Sequence, residues 1–233
     1  MRSSPSPSAA ARSYSGAVTE PEPRTPRIAV LVPVKAFDKA KSRLASHLDP
    51  AQRAELARAM ATSVVAAAAP LPAFVVCDDQ EVADWAAAVG ARVLWRPGRG
   101  LNDAVRDGVA ALAARNIERV VVAHSDLPLA RSLAWTASFP GITLIPDRRA
   151  EGTNVVALPT DCGFQFAYGG NSFDRHCAEA RRVGLALRVV HHAALGWDVD
   201  VPDDLASRTD NADAGAAQAA DSGEHAKPLS SGP

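Results

Sequence analysis

The sequence has little cysteine, no excess of either charge and no apolar run long enough to cross a bilayer. Each shortage excludes something. Lys and Arg number 25 against 26 Asp and Glu, a net charge of −1, so no basic field marks a nucleic-acid binder. The three cysteines, Cys77, Cys162 and Cys177, are odd in number and far apart, which fits neither a disulfide framework nor a zinc ligand spacing. A reduced, cytoplasmic setting is the simplest expectation. The basic, Ser-rich start lacks the continuous apolar stretch of a secretory signal. Bulky apolar residues are scarce over 1–26 and again over 206–233, so both stretches are expected to be disordered tails. What remains, 27–205, is enough for one domain with a single hydrophobic core, and it contains no internal repeat.

Within 27–205 strand and helix patterns alternate. Ile28 to Val34 is a continuous apolar run, the pattern of a strand buried on both faces. Asp49-Pro50 reads as an N-cap and first helical residue, opening a helix that runs to about Ala69. Further strands are expected at 73–77, 92–95 and 119–123, with helices over 79–89 and 101–115. The second half is less regular, with strands at 142–145, 154–158 and 187–190, a helix over 171–183, and room for an antiparallel segment. The fold class is therefore α/β, a mostly parallel sheet with helices on both faces. Ligands of such sheets sit beyond the carboxyl ends of the strands, which directs attention to the loops at Lys35, Pro97, His124 and Asp147 and to the segment around Trp197.

Asp126 follows the fourth strand directly, and Asp198 and Asp200 lie two apart on what reads as an extended segment. Packed carboxylates repel unless a cation or proton intervenes, and magnesium suits an all-oxygen site that also takes water and phosphate. Alone, either segment equally suits a turn cap; the combination points to metal. Asp203 and Asp204, after Pro202, read as caps of a last helix. The loop after the first strand contains no glycine. Lys35, Lys41 and Arg43 stand there instead as a cationic cradle for phosphates, or as a solvated basic loop.

Gly98 and Gly100 permit close backbone approach to a ligand, and Asn102 is suited to reading a base or ribose edge, although a turn and helix cap would use the same residues. The polar connection from Pro146 to Asn154 is too long for a minimal hairpin. In it, Thr153 is placed to donate to an acidic ligand and Arg148 to pair with its charge. Gly169 to Phe173 opens a helix whose free amides and Ser172 hydroxyl form either an anion site or an ordinary cap. His176 lies four residues past Ser172 on the same helical face. His191 and His192 read as structural or exposed, and Trp85, Trp95 and Trp135 as core.

Pro33-Val-Lys35 with Ala40 to Leu44, Gly100-Leu-Asn102, His124 to Pro128, Pro146 to Asn154, Gly169 through Ser172 to His176, and Asp198-Val-Asp200 follow one another in a set order. In that order they resemble the 2-phospho-L-lactate guanylyltransferase family, whose actinobacterial branch acts on phosphoenolpyruvate in coenzyme F-420 biosynthesis. The resemblance spans the whole of 27–205. It implies a Rossmann-like nucleotidyltransferase sheet of the nucleotide-diphospho-sugar transferase type. It also implies transfer of GMP from GTP to phosphoenolpyruvate or 2-phospho-L-lactate, with release of pyrophosphate. In that scheme Mg2+ sits on Asp126, Asp198 and Asp200, and Lys35, Lys41 and Arg43 hold the outer phosphates. Thr153, Gly169 and Ser172 bind the acceptor acid; Gly100 and Asn102 meet the nucleoside. Ser125 and Asn171 depart from the family, which usually has Ala and often has Gly there. The Ala- and Arg-rich composition leans toward phosphoenolpyruvate, and a homodimer is one expectation for the assembly. Two alternatives stay open. A nucleotidyltransferase of the molybdenum-cofactor type predicts a glycine-rich first loop, and a non-catalytic nucleotide-binding protein predicts loss of a metal carboxylate.

Overall fold

Burial along the strands alternates between two apolar layers, one on each face of a single sheet. A computed structural model describes residues 26–204; the tails expected over 1–26 and 206–233 lie, Pro26 apart, outside the described residues. The strands are β1 (Ile28–Pro33), β2 (Ala73–Cys77), β3 (Arg92–Trp95), β4 (Arg119–Ala123), β5 (Ile142–Pro146), β6 (Thr153–Pro159) and β7 (Leu187–Val189). They form one sheet in the order β3-β2-β1-β4-β6-β5-β7. The pairs β3-β2, β2-β1, β1-β4 and β5-β7 are parallel, whereas β6 runs antiparallel to both β4 and β5. The mostly parallel α/β sheet is as expected, and the antiparallel segment falls in the second half.

Helices α1 (Pro50–Ala66) and α2 (Gln80–Ala88) cover one face, packing Ala61, Val64 and Trp85 over Val30, Val75 and Val121. Helices α3 (Leu101–Ala113) and α4 (Ser172–Arg182) cover the other, packing Val105, Leu112 and Ala180 over Leu31, Val120 and Val156. Adjacent strand residues thus belong to opposite layers, which is why these strands read as unbroken apolar runs. Asp49 caps α1 as expected: its carboxylate accepts from Gln52 N–H at 2.9 Å, and the Gln52 side chain accepts from Asp49 N–H at 2.9 Å. Asp79 caps α2.

Two features of the packing escape pattern reading. Gly108, inside α3, would ordinarily cost a helix about 1 kcal/mol against Ala. Here a Cβ would lie 2.8 Å from Leu31 Cδ2, so glycine lets α3 settle onto β1. Arg119, at the start of β4, is buried, and its guanidinium donates to the carbonyls of Phe139, Pro140 and Gly141 at 2.7, 2.7 and 2.8 Å. It organises the long connection into β5, for which the sequence offered no element. Trp95, expected in the core, is 43% exposed at the sheet edge; Trp85 is buried. Among the described residues no helix is long and apolar enough to cross a membrane.

Candidate active site

The loop leaving β1 is pinned by two apolar anchors. Phe37 packs edge-on against Trp85 with ring centroids 5.3 Å apart, and buried Leu44 clusters with Met60 and Val199. Between the anchors Lys41 takes a left-handed conformation (φ 53°), which costs a residue with a side chain about 1–2 kcal/mol. Its ammonium turns inward and donates to Asp126 Oδ2 at 2.6 Å and Asp200 Oδ1 at 3.0 Å. Arg43 Nη1 lies 3.7 Å from Asp200 Oδ2. Lys35 remains exposed. The three cations expected to form one phosphate cradle thus differ in state: Lys35 and Arg43 are exposed, while Lys41 is the counter-charge of two carboxylates. Burial works against the Lys41 ammonium, but Asp126 and Asp200 outweigh it and raise its pKa.

Asp126, Asp198 and Asp200 are near enough for their charges to act on one another. Burial would raise Asp126, yet Lys41 holds it below the usual carboxylate range. Asp198 is pushed up to about 6, first by burial and then by the charges of Asp126 and Asp200. Among the described residues no group of three or more His, Cys, Asp or Glu side chains is arranged to hold a metal ion. The expected carboxylate triad is therefore not a closed cage, because Lys41 is inserted between two of its members. The donor set still fits a hard cation. Asp126 Oδ1 and Asp198 Oδ1 are buried without a hydrogen-bond partner, and magnesium binds through one or two carboxylates plus water and phosphate oxygens.

The segment carrying Asp198 and Asp200 is held at several points. Val199 is fully buried against Leu44 and Met60. Asn154 donates to Leu195 carbonyl at 3.0 Å, and Arg148 N–H donates to Gly196 carbonyl at 2.8 Å. The Arg148 guanidinium lies 4.1 Å over the Trp197 ring and pairs with Asp204. The Asp204 carboxylate in turn accepts from Asp200 and Val201 N–H at 2.7 and 2.9 Å; Asp203 and Asp204, expected to cap a last helix, lie within the helical residues 202–204 instead. Arg148 was expected to meet substrate charge; its charge is instead spent on fixing this segment.

A cavity of about 420 Å3 opens at the carboxyl ends of β1, β2 and β4, lined in part by Lys35, Asp78, Arg96, Arg99, Gly100 and Asp126. A smaller one of about 170 Å3 adjoins it, sharing Lys35, Ser125 and Asp126 and adding Lys41. Gly100 thus borders the cavity. Asn102 does not: its side chain donates to Tyr168 carbonyl at 3.3 Å and accepts from Tyr168 N–H at 2.6 Å, so both ends of the amide are used. His124, whose loop the sequence marked, lines the cavity, and so do Asp78, Arg96 and Arg99, which were not singled out. Their position just past a strand end was the available signal.

Because β6 is antiparallel to β4, its first residue lies beside the carboxyl end of β4, where His124 N–H donates to Asn154 carbonyl at 3.0 Å. Thr153 and Ser172 meet there: Thr153 N–H donates to Ser172 Oγ at 3.1 Å, and Thr153 Oγ1 lies 3.0 Å from His176 Nδ1. Gly169 (φ 121°) and Asn171 (φ 54°) give the preceding loop its left-handed turns. Asn tolerates that conformation better than most side chains, which explains how it replaces glycine at 171. His124 joins the two halves, lining the larger cavity with its ring 4.8 Å from that of Tyr168.

Residues 28–208 match the family model described as guanylyl transferase CofC like. A phosphoenolpyruvate guanylyltransferase of Sphaerobacter thermophilus is 37% identical over 195 residues, covering 80% of this chain and 94% of that protein. One of Roseiflexus castenholzii is 36% identical over 180 residues, covering 75% of this chain and 84% of that protein. Among solved structures, a protein of Desulfovibrio desulfuricans G20 assigned as a nucleotide-diphospho-sugar transferase superposes with a TM-score of 0.63 at 17% identity, covering 80% of this chain and 88% of that one. The sheet is thus of the nucleotidyltransferase type.

Proposed function

This chain belongs to the family of CofC-like guanylyl transferases, and from that premise we propose that it transfers the GMP unit of GTP to phosphoenolpyruvate in coenzyme F-420 biosynthesis, as a cytoplasmic enzyme. The observation that carries the reading is the juxtaposition of a cavity bearing Lys35, Arg96 and Arg99 with the partly buried carboxylates of Asp126, Asp198 and Asp200. Polyanions and a cation site are what this transfer requires. An oxygen of the acid's phosphate bonds to the α-phosphorus of GTP as the bond from that phosphorus to the bridging oxygen of pyrophosphate breaks. The nucleophile is already an anion, so no strong base is needed, and the work is alignment and charge stabilisation.

Asp126, Asp198 and Asp200 hold magnesium in this reading. A divalent ion held by these carboxylates would supply positive charge to offset that of the phosphates. Lys35 and Arg43 meet the outer phosphates of GTP. Lys41 keeps Asp126 ionised and holds both Asp126 and Asp200 in place, and as a wall of the smaller cavity it meets an incoming phosphate in this reading. Gly100 borders the nucleoside, while Thr153, Gly169 and Ser172 receive the acid. Asn102 acts at one remove by fixing Tyr168 beside that loop.

Pyrophosphate release and product mass, measured with GTP and either phosphoenolpyruvate or 2-phospho-L-lactate, test this directly. The expected result is a phosphoenolpyruvate–GMP adduct that forms with magnesium and not after chelation. GTP consumption without either adduct would overturn the reading.

A further inference from the structure

His176 is fully buried, lies outside the carboxylate cluster and has no role in the transfer described above. Its two ring nitrogens have different neighbours. Ala167 N–H points at Nε2 at 2.9 Å. A backbone amide can only donate, so Nε2 is the acceptor and carries no proton. The proton of the neutral ring is then on Nδ1, which donates to Thr153 Oγ1 at 3.0 Å. Neutrality follows from the surroundings: the rings of Phe164, Phe166 and Tyr168 lie 5.5, 6.3 and 4.9 Å from the imidazole. Burial pulls its pKa down to about 4.

The consequence falls on Thr153. A hydroxyl has one proton to give, and here its oxygen already accepts from His176. The Thr153 proton is therefore left for an acceptor outside this network. Ser172 is in the same condition, since its oxygen accepts from Thr153 N–H at 3.1 Å. Two neighbouring hydroxyls are turned into donors by the chain's own donors. A buried hydroxyl proton without an acceptor is costly, and a ligand carboxylate, which only accepts, removes that cost.

We propose that His176 is a positioning residue that commits Thr153 to donate to the carboxylate of the acceptor phospho-acid. The proposal rests on the guanylyl-transfer reading above. It makes His176 a determinant of acid affinity, not of GTP use, although it touches neither substrate.

Asn and Gln substitutions separate this from a purely structural role. In His176→Asn the amide nitrogen takes the place of Nδ1, preserving the donor to Thr153 and losing the acceptor for Ala167. In His176→Gln the amide oxygen takes the place of Nε2, preserving the bond from Ala167 and losing the donor to Thr153. Each leaves one partner unmet, so their effects on thermal stability should be alike. We expect His176→Gln to raise KM for phosphoenolpyruvate by about tenfold with KM for GTP unchanged. His176→Asn should remain within about twofold of wild type for both substrates. The reverse ranking, equal losses, collapse of both variants, or a parallel rise in both KM values would overturn the proposal. An active wild type with unaltered His176→Gln refutes this proposal alone, whereas a wild type that forms no adduct refutes the function reading and this with it.

Discussion

At Asp126 two effects oppose each other: burial disfavours the carboxylate anion, and the Lys41 ammonium at 2.6 Å restores it. Asp126→Asn keeps the shape and a hydrogen-bond acceptor while deleting the charge on which the proposed cation site depends. Several kcal/mol of transition-state stabilisation should be lost, lowering kcat by about a hundredfold or more. The melting temperature should stay within a few degrees, because Asp200 still neutralises Lys41. Calorimetry and steady-state rates check both halves; near-normal turnover would remove Asp126 from the centre. The carboxylates were legible in the sequence because acidic residues at strand ends are unusual. Their pairing with Lys41 was not, since it joins residues 85 and 159 positions apart. Nor can a sequence distinguish a polar side chain free for ligand from one already satisfied. That is why Asn102 and Arg148 read as substrate contacts, while the fold spends them on Tyr168 and Asp204.

Among the elements, the turn between β5 and β6 acts as a clamp on the carboxylate segment. Arg148→Ala should remove the stack on Trp197 and one charge partner of buried Asp204, costing about 2 kcal/mol. Because Asp204 orders the backbone of Asp200, the magnesium concentration for half-maximal activity should rise as well. Magnesium titration followed by rate reads that effect, and an unchanged requirement would confine Arg148 to stability. Arg119 serves the β4–β5 connection similarly. Arg119→Ala would strand the carbonyls of Phe139, Pro140 and Gly141 and should lower stability by about 2–4 kcal/mol without selective loss of substrate affinity. Denaturant unfolding and both KM values test it. The strands and helices were legible from their apolar periodicity and caps. This connection was not, because buried arginine donors and carbonyl acceptors leave no periodic trace.

For the molecule as a whole, the neutral His176 links stability to pH. Its folded pKa of about 4 lies below the usual 6.5: burial dominates, His124 and Arg175 also oppose protonation, and Glu179 favours it. Above about pH 6.5 neither folded nor unfolded state binds this proton, so His176 adds no slope. As pH falls from about 6.5 to about 4 the unfolded state binds it and the folded state does not, so stability declines by up to a few kcal/mol. Urea midpoints measured across that window should fall with pH for wild type and less steeply for His176→Asn. An equal slope in both would assign the decline to other groups. The reversal of strand direction at β6 has a further consequence. Residues lining the larger cavity all precede 127, whereas Thr153, Ser172 and His176 all follow 146. On the proposed reading the chain is thus divided into a nucleotide half and an acid half that meet along the border of β4 and β6. Acid preference should therefore be transplantable: exchanging 147–176 for the matching stretch of a 2-phospho-L-lactate-using relative should move the choice of acid and leave the choice of nucleotide behind.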